Sequence, residues 1–255
     1  MKQVKVGKHK LVIYDSIDEL PMKRFHKFNK MMLIDSGIGS TLADFDNHLQ
    51  KITAYIAKKD YSPVLTELDN LRQNVYMTLS GVSPKHLSFA VLVKKIDGKE
   101  CEDISDDALQ RIVDTLGDTP INEIAAPFEV AKKKIDEELR EYFPNVFDDA
   151  TIKEYYDRLK RRTLIILDCI INGKTAEKSN EIDAITLDLL TYSAPHKFSG
   201  KENTEILYDK QFEKMCLTIS QNLHTEPKKY TVLEYYNAFE YIKEMARERA
   251  KSLKK

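Results

Sequence analysis

The chain has 255 residues, of which 42% are hydrophobic and 32% are charged, and its formal net charge is −1. This composition is typical of a soluble globular protein with a helix-rich surface. It has 8 glycines and 8 prolines, too few for the many turns of an all-β sandwich. Its apolar runs are shorter than the roughly 18 residues that a membrane helix needs, so we expect no membrane partner.

The sequence does not indicate a reaction centre. The three cysteines, Cys101, Cys169 and Cys216, are far apart and form no C-x-x-C pair. We interpret them as small buried apolar residues of a protein from a reducing compartment. A phosphate-binding loop requires G-x-x-x-x-G-K-[ST], which neither Ser36–Ser40 nor Gly173–Thr175 matches. We therefore predict no catalytic residue, no cofactor and no metal site.

The N-terminal segment 1–13 is strand-like. Apolar and polar residues alternate on both sides of Gly7-Lys8, which predicts a short β-hairpin or an extended arm. Little else in the chain resembles a strand, so this segment is a candidate for strand addition to another subunit. Its predicted partner-binding residues are Val4, Val6, Leu11 and Ile13.

A capped helix and a glycine turn follow. Ser16 to Glu19 match the capping-box pattern, and Pro21 is then expected in the first turn of a helix that continues to about Ile34. Residues 36–40 end this helix, and one of their glycines is expected in the left-handed conformation. Ser40 or Thr41 is expected to cap a second helix, which ends near Lys59.

Eight further helices are predicted from apolar periodicity and from breakers. We place them at about 62–81, 83–96, 105–116, 119–143, 148–172, 176–191, 204–222 and 231–252. Within 83–96, the β-rich segment Phe89–Val93 is an alternative strand. The helix at 148–172 contains the longest apolar run, Leu164–Ile171, and we interpret it as the central core helix. On the second helix, we interpret His48 as a packing residue rather than a metal ligand.

The predicted fold class is therefore mainly α, a multi-helix bundle with a short N-terminal β-hairpin or extended arm. Residues 173–204 hold one short helix and the least regular loop of the chain. On this basis we divide the chain into the arm or hairpin (1–13), a main helical domain (14–172) and a C-terminal helical subdomain (173–255).

The last helix is a second candidate docking surface. It opens with a capping box at Thr231–Glu234. Its aromatic stripe exceeds what a terminal helix on a small core needs, so docking against a neighbouring protein is an alternative to packing within the chain. The residues of this stripe are Tyr235, Tyr236, Phe239 and Tyr241.

Charge is unevenly distributed. Residues 1–10 carry four lysines and no acid, residues 97–118 carry eight acids against two bases, and residues 243–255 carry six bases against two acids. Opposite charge blocks can pair head to tail between copies. The simpler interpretation is solvated surface and terminal tails.

The helix at 148–172 also carries a basic face. Tyr155 and Tyr156 lie near it, which suggests phosphate contact and base stacking. Glu154 and Asp157 interleave with the cations, which favours a solvated face, so we do not expect nucleic acid as a main partner. The candidate nucleic-acid contacts are Arg158, Lys160, Arg161 and Arg162.

One block of the chain resembles a known group of proteins. The block is L-P-M-K-R-F-H-K-F-N-K-M-M-L-I-D-S-G-I-G-S-T, followed by D-F-D-N-H-L, and the C-terminal T-V-L-E-Y-Y-N-A-F-E-Y-I-K accompanies it. It resembles proteins in the structural gene blocks of Bacteroidales phages, including the crAss-like group. The resemblance covers roughly 45 residues and consists of packing residues, so it carries over no catalytic residue.

The resemblance implies a head–tail connector, a tail ring component or a tail assembly factor. We expect a non-enzymatic structural protein of the virion, made in the cytoplasm of the bacterial host. It is expected to form a homo-oligomer and to contact portal, tail or neighbouring ring proteins. Alternatives are a soluble tail assembly chaperone absent from the particle, a nucleic-acid-binding protein, and an enzyme whose site the sequence does not reveal.

Overall fold

The computed structural model describes residues 1–117, 119, 121–147, 150–173 and 175–252. It is 72% helical and has a small antiparallel sheet at the N-terminus, which confirms the mainly α class with an N-terminal hairpin. The predicted helix starts at Pro120 and at Asp148–Asp149 lie outside the described residues. The same holds for Lys174 in the predicted turn after the helix at 148–172.

The described residues form four short strands and eleven α-helices. The strands are β1 (Lys2–Val6), β2 (His9–Ile13), β3 (Val93–Ile96) and β4 (Lys99–Glu100). The described helices are α1 (Met22–Gly37), α2 (Leu42–Ala57), α3 (Ser62–Ser80), α4 (Pro84–Leu92), α5 (Asp106–Thr115), α6 (Ile121–Tyr142), α7 (Pro144–Phe147), α8 (Ala150–Asn172), α9 (Thr175–Leu190), α10 (Thr204–Leu223) and α11 (Val232–Ser252).

The chain divides into two compact units, and each combines separate stretches of sequence. Unit 1 contains Met1–Ser36, Ser83–Asn145 and Thr204–Lys255, and unit 2 contains Gly37–Val82 and Val146–Asn203. The sequence led us to expect contiguous domains at 14–172 and 173–255. Both ranges contribute to both units.

The sheet of unit 1 has the strand order β1-β2-β3-β4, and all its pairs are antiparallel. The predicted hairpin turns at Gly7, which is in the left-handed conformation. Its second strand pairs with β3 of the same chain, with Leu11 opposite Ile96. The β3–β4 hairpin was missed because α4 ends at Leu92 and the chain becomes extended at the next residue. The prediction of a single helix at 83–96 was therefore wrong for residues 93–96, which form β3.

The first predicted helix start was also wrong. Ser16 and Ile17 do not form a capping box with Glu19. Instead, the Ser16 hydroxyl and the Ile17 amide both donate to Glu138 Oε2, at 2.8 and 2.9 Å. A half-buried carboxylate that accepts two bonds outcompetes the local cap, and α1 begins after Pro21, at Met22.

A buried arginine ties α1 to the sheet. Arg24 donates from Nη1 to the carbonyls of Val91 and Val93, at 2.7 and 3.2 Å, and from Nη2 to the carbonyl of Cys101. These carbonyls lie where α4 gives way to β3 and just after β4, so regular secondary structure leaves them without a donor. The guanidinium, with its several donors in one plane, satisfies them together.

Aromatic packing forms much of the remaining core of unit 1. Phe28 and Phe89 pack against Phe128 with ring centroids 6.2 and 6.0 Å apart. The ring centroid of Tyr236 lies 6.5 Å from that of Phe25 and 5.4 Å from that of Phe143. The aromatic stripe of α11 is therefore used largely inside the chain.

A stacked histidine joins α1 to α10. The ring of His26 lies between those of Tyr208 and Phe212, with centroids 4.6 and 4.1 Å away. Its Nε2 is 2.8 Å from Asp209 Oδ1, and Lys30 also contacts this carboxylate. Burial lowers the pKa of His26, and the Asp209 carboxylate opposes this shift.

We expect the protein to lose stability as the pH falls through about 6.5, the usual pKa of histidine. The unfolded chain then binds a proton more readily than folded His26, so protonation favours unfolding. The measurement is the urea midpoint at pH 7.5 and 5.5. His26→Phe keeps the ring stack and should show a smaller loss. An equal loss in the variant would refute the role of His26.

In unit 2, a glycine accommodates an aromatic ring. A Cβ on Gly37 would lie 2.5 Å from Cε2 of Phe198, whose ring is buried. The turn that follows fits the prediction, because Gly39 has φ +67° and Thr41 forms a capping box with Asp44 at the start of α2.

Gly37→Ala should therefore destabilise the protein by about 1 kcal/mol or more, because overpacking outweighs the better helix propensity of alanine. Thermal unfolding measures the change. In a Phe198→Ala background the ring is absent, and the same substitution should be neutral or stabilising. Stabilisation by Gly37→Ala in the native background would contradict the close packing.

Candidate protein-interaction surface

Helix α3 buries polar side chains and exposes apolar ones. Glu67, Asn70 and Asn74, spaced by three and four residues, are 2%, 1% and 1% exposed. Its large apolar residues include Leu79, Leu65 and Tyr76, which are 83%, 75% and 73% exposed. We call the outward row the α3 stripe; it comprises Leu65, Leu68, Arg72, Val75, Tyr76 and Leu79.

A buried histidine–glutamate pair attaches the polar face of α3 to α2. His48 Nδ1 is 2.6 Å from Glu67 Oε2, and His48 Nε2 is 2.9 Å from the carbonyl of Ile38. The carbonyl can only accept, so Nε2 carries a proton and donates it. The short bond on the other side joins the ring to the Glu67 carboxylate. His48 is thus a packing residue with two fixed polar partners.

Two asparagines extend this polar face. Asn74 Nδ2 donates to the carbonyl of Ile38 at 3.1 Å, and Asn70 Nδ2 donates to the carbonyl of His196 at 2.9 Å. Both carbonyls belong to irregular segments that have no helical donor for them, and buried backbone carbonyls require partners. The side of α3 that faces these segments must therefore be polar, which leaves its apolar residues on the other side.

The other helices of unit 2 also expose apolar rows. On α2, Leu42, Leu49 and Ile56 recur every seven residues and are exposed. On α8, four residues of the apolar run predicted to form a central core are exposed, so that prediction was wrong. They are Leu164, Leu167, Ile170 and Ile171, whereas Ile165 and Ile166 are half-buried and Cys169 is buried.

Polar contacts explain the orientation of α8. Helix α9 packs beside it, and Arg161 contacts Glu181 at 2.8 Å. Arg162 Nε donates to Thr186 Oγ1 at 2.6 Å. These contacts place Arg161 and Arg162 beside α9, while four apolar residues of the run remain exposed on α8.

The predicted nucleic-acid contacts largely have partners within unit 2. Arg158 contacts Glu154 at 2.7 Å and lies 5.2 Å from the ring centroid of Tyr192. Arg161 and Arg162 contact α9, and Lys160 is exposed. Because acids and a hydroxyl already engage the three arginines, this face is less basic than its sequence suggests.

The predicted partner-binding residues occupy different environments in unit 1. Val6, Leu11 and Ile13 are buried in the core, and Val4 is half-buried. The aromatic residues of α11 range from buried Tyr235, through half-buried Tyr236 and Phe239, to exposed Tyr241. Strand β2 pairs with β1 and β3 of the same chain, so a strand from another subunit could add only at the outer edges of the sheet, β1 and β4.

The described residues hold no group of three or more His, Cys, Asp or Glu side chains suited to a metal ion. Burial raises the pKa of the Cys101 and Cys216 thiols. Both therefore remain protonated at neutral pH, the form that reacts poorly. Among the described helices, none is long and apolar enough to cross a membrane.

Comparisons of this chain with family models, curated proteins and solved structures found no match. The α3 stripe was not found by sequence reasoning. Its spacing is the ordinary spacing of a buried helix face, and the polar row at Glu67, Asn70 and Asn74 has the same spacing. The only sequence signal that the polar face of α3 is the buried one was the helical spacing of one glutamate and two asparagines.

Removing Glu67 should strongly destabilise unit 2. Glu67→Ala leaves the His48 ring buried without its carboxylate partner, at a cost of about 3–5 kcal/mol. Chemical denaturation measures the loss, and His48→Ala in the same chain should add less than its own separate effect. Glu202→Ala, which removes an exposed contact with Lys197, is the control and should leave the midpoint unchanged. Equal midpoints for the two glutamate variants would contradict the role of the buried pair.

Proposed function

We propose that this protein is a non-enzymatic structural component of a phage virion, a head–tail connector or tail ring component. It acts by assembling with further copies and with portal, tail or neighbouring ring proteins. The observation that carries the proposal is the α3 stripe, which presents apolar side chains to solvent on a helix whose polar side chains are buried.

The energetics of the stripe favour association. Burying one exposed leucine or similar side chain contributes about 1.5–3 kcal/mol. Exposed apolar rows also lie on α2 and α8, so unit 2 has more than one face that gains stability when it is covered. Large exposed apolar patches are characteristic of interaction sites.

The sequence resemblance supports the viral part of the proposal. Its two segments, which begin near Leu20 and at Thr231, contact each other in unit 1. Met22 N donates to the carbonyl of Tyr230 at 2.8 Å, and Val232 N donates to that of Leu20 at 2.9 Å. The start of the first segment and the start of the C-terminal segment are thus hydrogen-bonded to each other within unit 1.

The same stripe fits a second function, a tail assembly chaperone. A chaperone covers the apolar surface of an unassembled tail protein and then leaves, so it is absent from the finished particle. The two functions differ in where the protein is found, not in the chemistry of the surface.

We expect the purified protein to form complexes with portal or tail proteins, and to be present in particles. Light scattering of the protein alone and of mixtures gives the masses, and electron microscopy images the large species. Leu65→Glu places a charge in the α3 stripe, so it should shift these masses towards smaller species while leaving the circular dichroism spectrum unchanged.

Binding to an unassembled tail protein together with absence from particles would replace the structural role with the chaperone. A protein that binds neither class of partner would refute both functions. A complex with nucleic acid that weakens steeply with salt would instead favour the nucleic-acid alternative.

A further inference from the structure

We propose that the α3 stripe packs against the α3 stripe of a second copy, with the two helices antiparallel and the two-fold axis passing beside Arg72. The inference deepens the proposed function by naming one of the partners, and it rests on that function only for the expectation that the chain assembles. Three properties of the stripe identify a second copy as the partner: the spacing of its residues, its charge and its exposed area.

The stripe is self-complementary. Leu65 lies seven residues before Arg72 and Leu79 lies seven after it, while Leu68 and Tyr76 lie four residues on either side. In an antiparallel pair centred on Arg72, Leu65 of one copy therefore meets Leu79 of the other. Leu68 meets Tyr76 in the same way. Spacings of three and four residues are those of helices that interdigitate along a common seam.

The charges at the centre are compensated. Arg72 Nη2 contacts Asp69 Oδ1 at 3.0 Å. Ser199 Oγ also donates to Asp69, at 2.7 Å, which helps to fix the carboxylate. Two copies bring two arginines and two aspartates to the centre of the seam, with no net charge. A single polar residue within an apolar seam fixes the register of helix pairs, and we assign this role to Arg72.

The area is that of a stable contact. Five large apolar residues of the stripe are exposed, three of them by more than 70%. With Arg72, their exposed surface is on the order of the 800 Å² per partner that a standard interface buries. The contact is isologous and closes at two copies, so larger assemblies use a different face.

Cysteine cross-linking tests the geometry. The parent chain carries Cys101→Ser, because Cys101 is the least buried of the native cysteines. Leu65→Cys and Leu79→Cys proteins are prepared separately, mixed and gently oxidised. The antiparallel contact predicts a cross-linked dimer in the mixture and none in either protein alone. Cross-linking of each protein with itself indicates a parallel contact and overturns the proposal, as does the absence of cross-links in all three samples.

The mass of the protein tests the contact without cysteines. Light scattering at micromolar concentration should give a dimer for the native chain and a monomer for Leu79→Glu. Ile171→Glu, on the exposed row of α8, is the matched control and should retain the dimer. A native monomer, or equal masses for the two variants, would overturn the proposal.

Failure of this inference is distinguishable from failure of the proposed function. A native monomer that nevertheless joins particles would refute the α3 contact and leave the structural role intact. An antiparallel dimer that is absent from particles and binds no phage protein would do the reverse.

Discussion

Hydrogen bonds between polar side chains and irregular backbone segments determine which face of α3 is buried in unit 2 and which is exposed to solvent. The carbonyls of Ile38 and His196 lie outside helices, and they take their donors from His48, Asn74 and Asn70. A buried carbonyl without a donor costs about 1–3 kcal/mol, because it loses its bonds to water, and apolar side chains on this face of α3 could not supply the missing donors. The polar row therefore faces inward and the apolar row outward.

Unit 1 solves the same problem with different groups. Arg24 supplies donors to carbonyls where α4 meets β3, and Glu138 accepts from the segment that precedes α1. Arg24 satisfies three backbone carbonyls, and Glu138 satisfies one backbone amide and one hydroxyl. The aromatic side chains around Phe128 can therefore fill the core. In unit 2, helices α2, α3 and α8 each expose a row of large apolar side chains to solvent.

Local patterns predicted much of the fold. The caps at Thr41 and Thr231 and the turn at Gly39 depend on neighbouring residues, so the sequence sufficed for them. The cap at Ser16 failed because the distant Glu138 competes for the same donors. The outward face of α3 also depends on distant groups, the carbonyls of residues 38 and 196. The helical periodicity of α3 does not indicate which distant carbonyls its side chains will contact. The exposed apolar face could therefore be identified only in the structure.

Hydroxyl-radical footprinting of the native protein over a dilution series shows whether the α3 stripe is covered by association. We expect Leu65, Tyr76 and Leu79 to be protected at high protein concentration and to become oxidised on dilution, while Ile171 reacts equally throughout. Equal oxidation of the stripe at every concentration, and in the presence of the phage partners, would contradict the role of the stripe as an assembly surface.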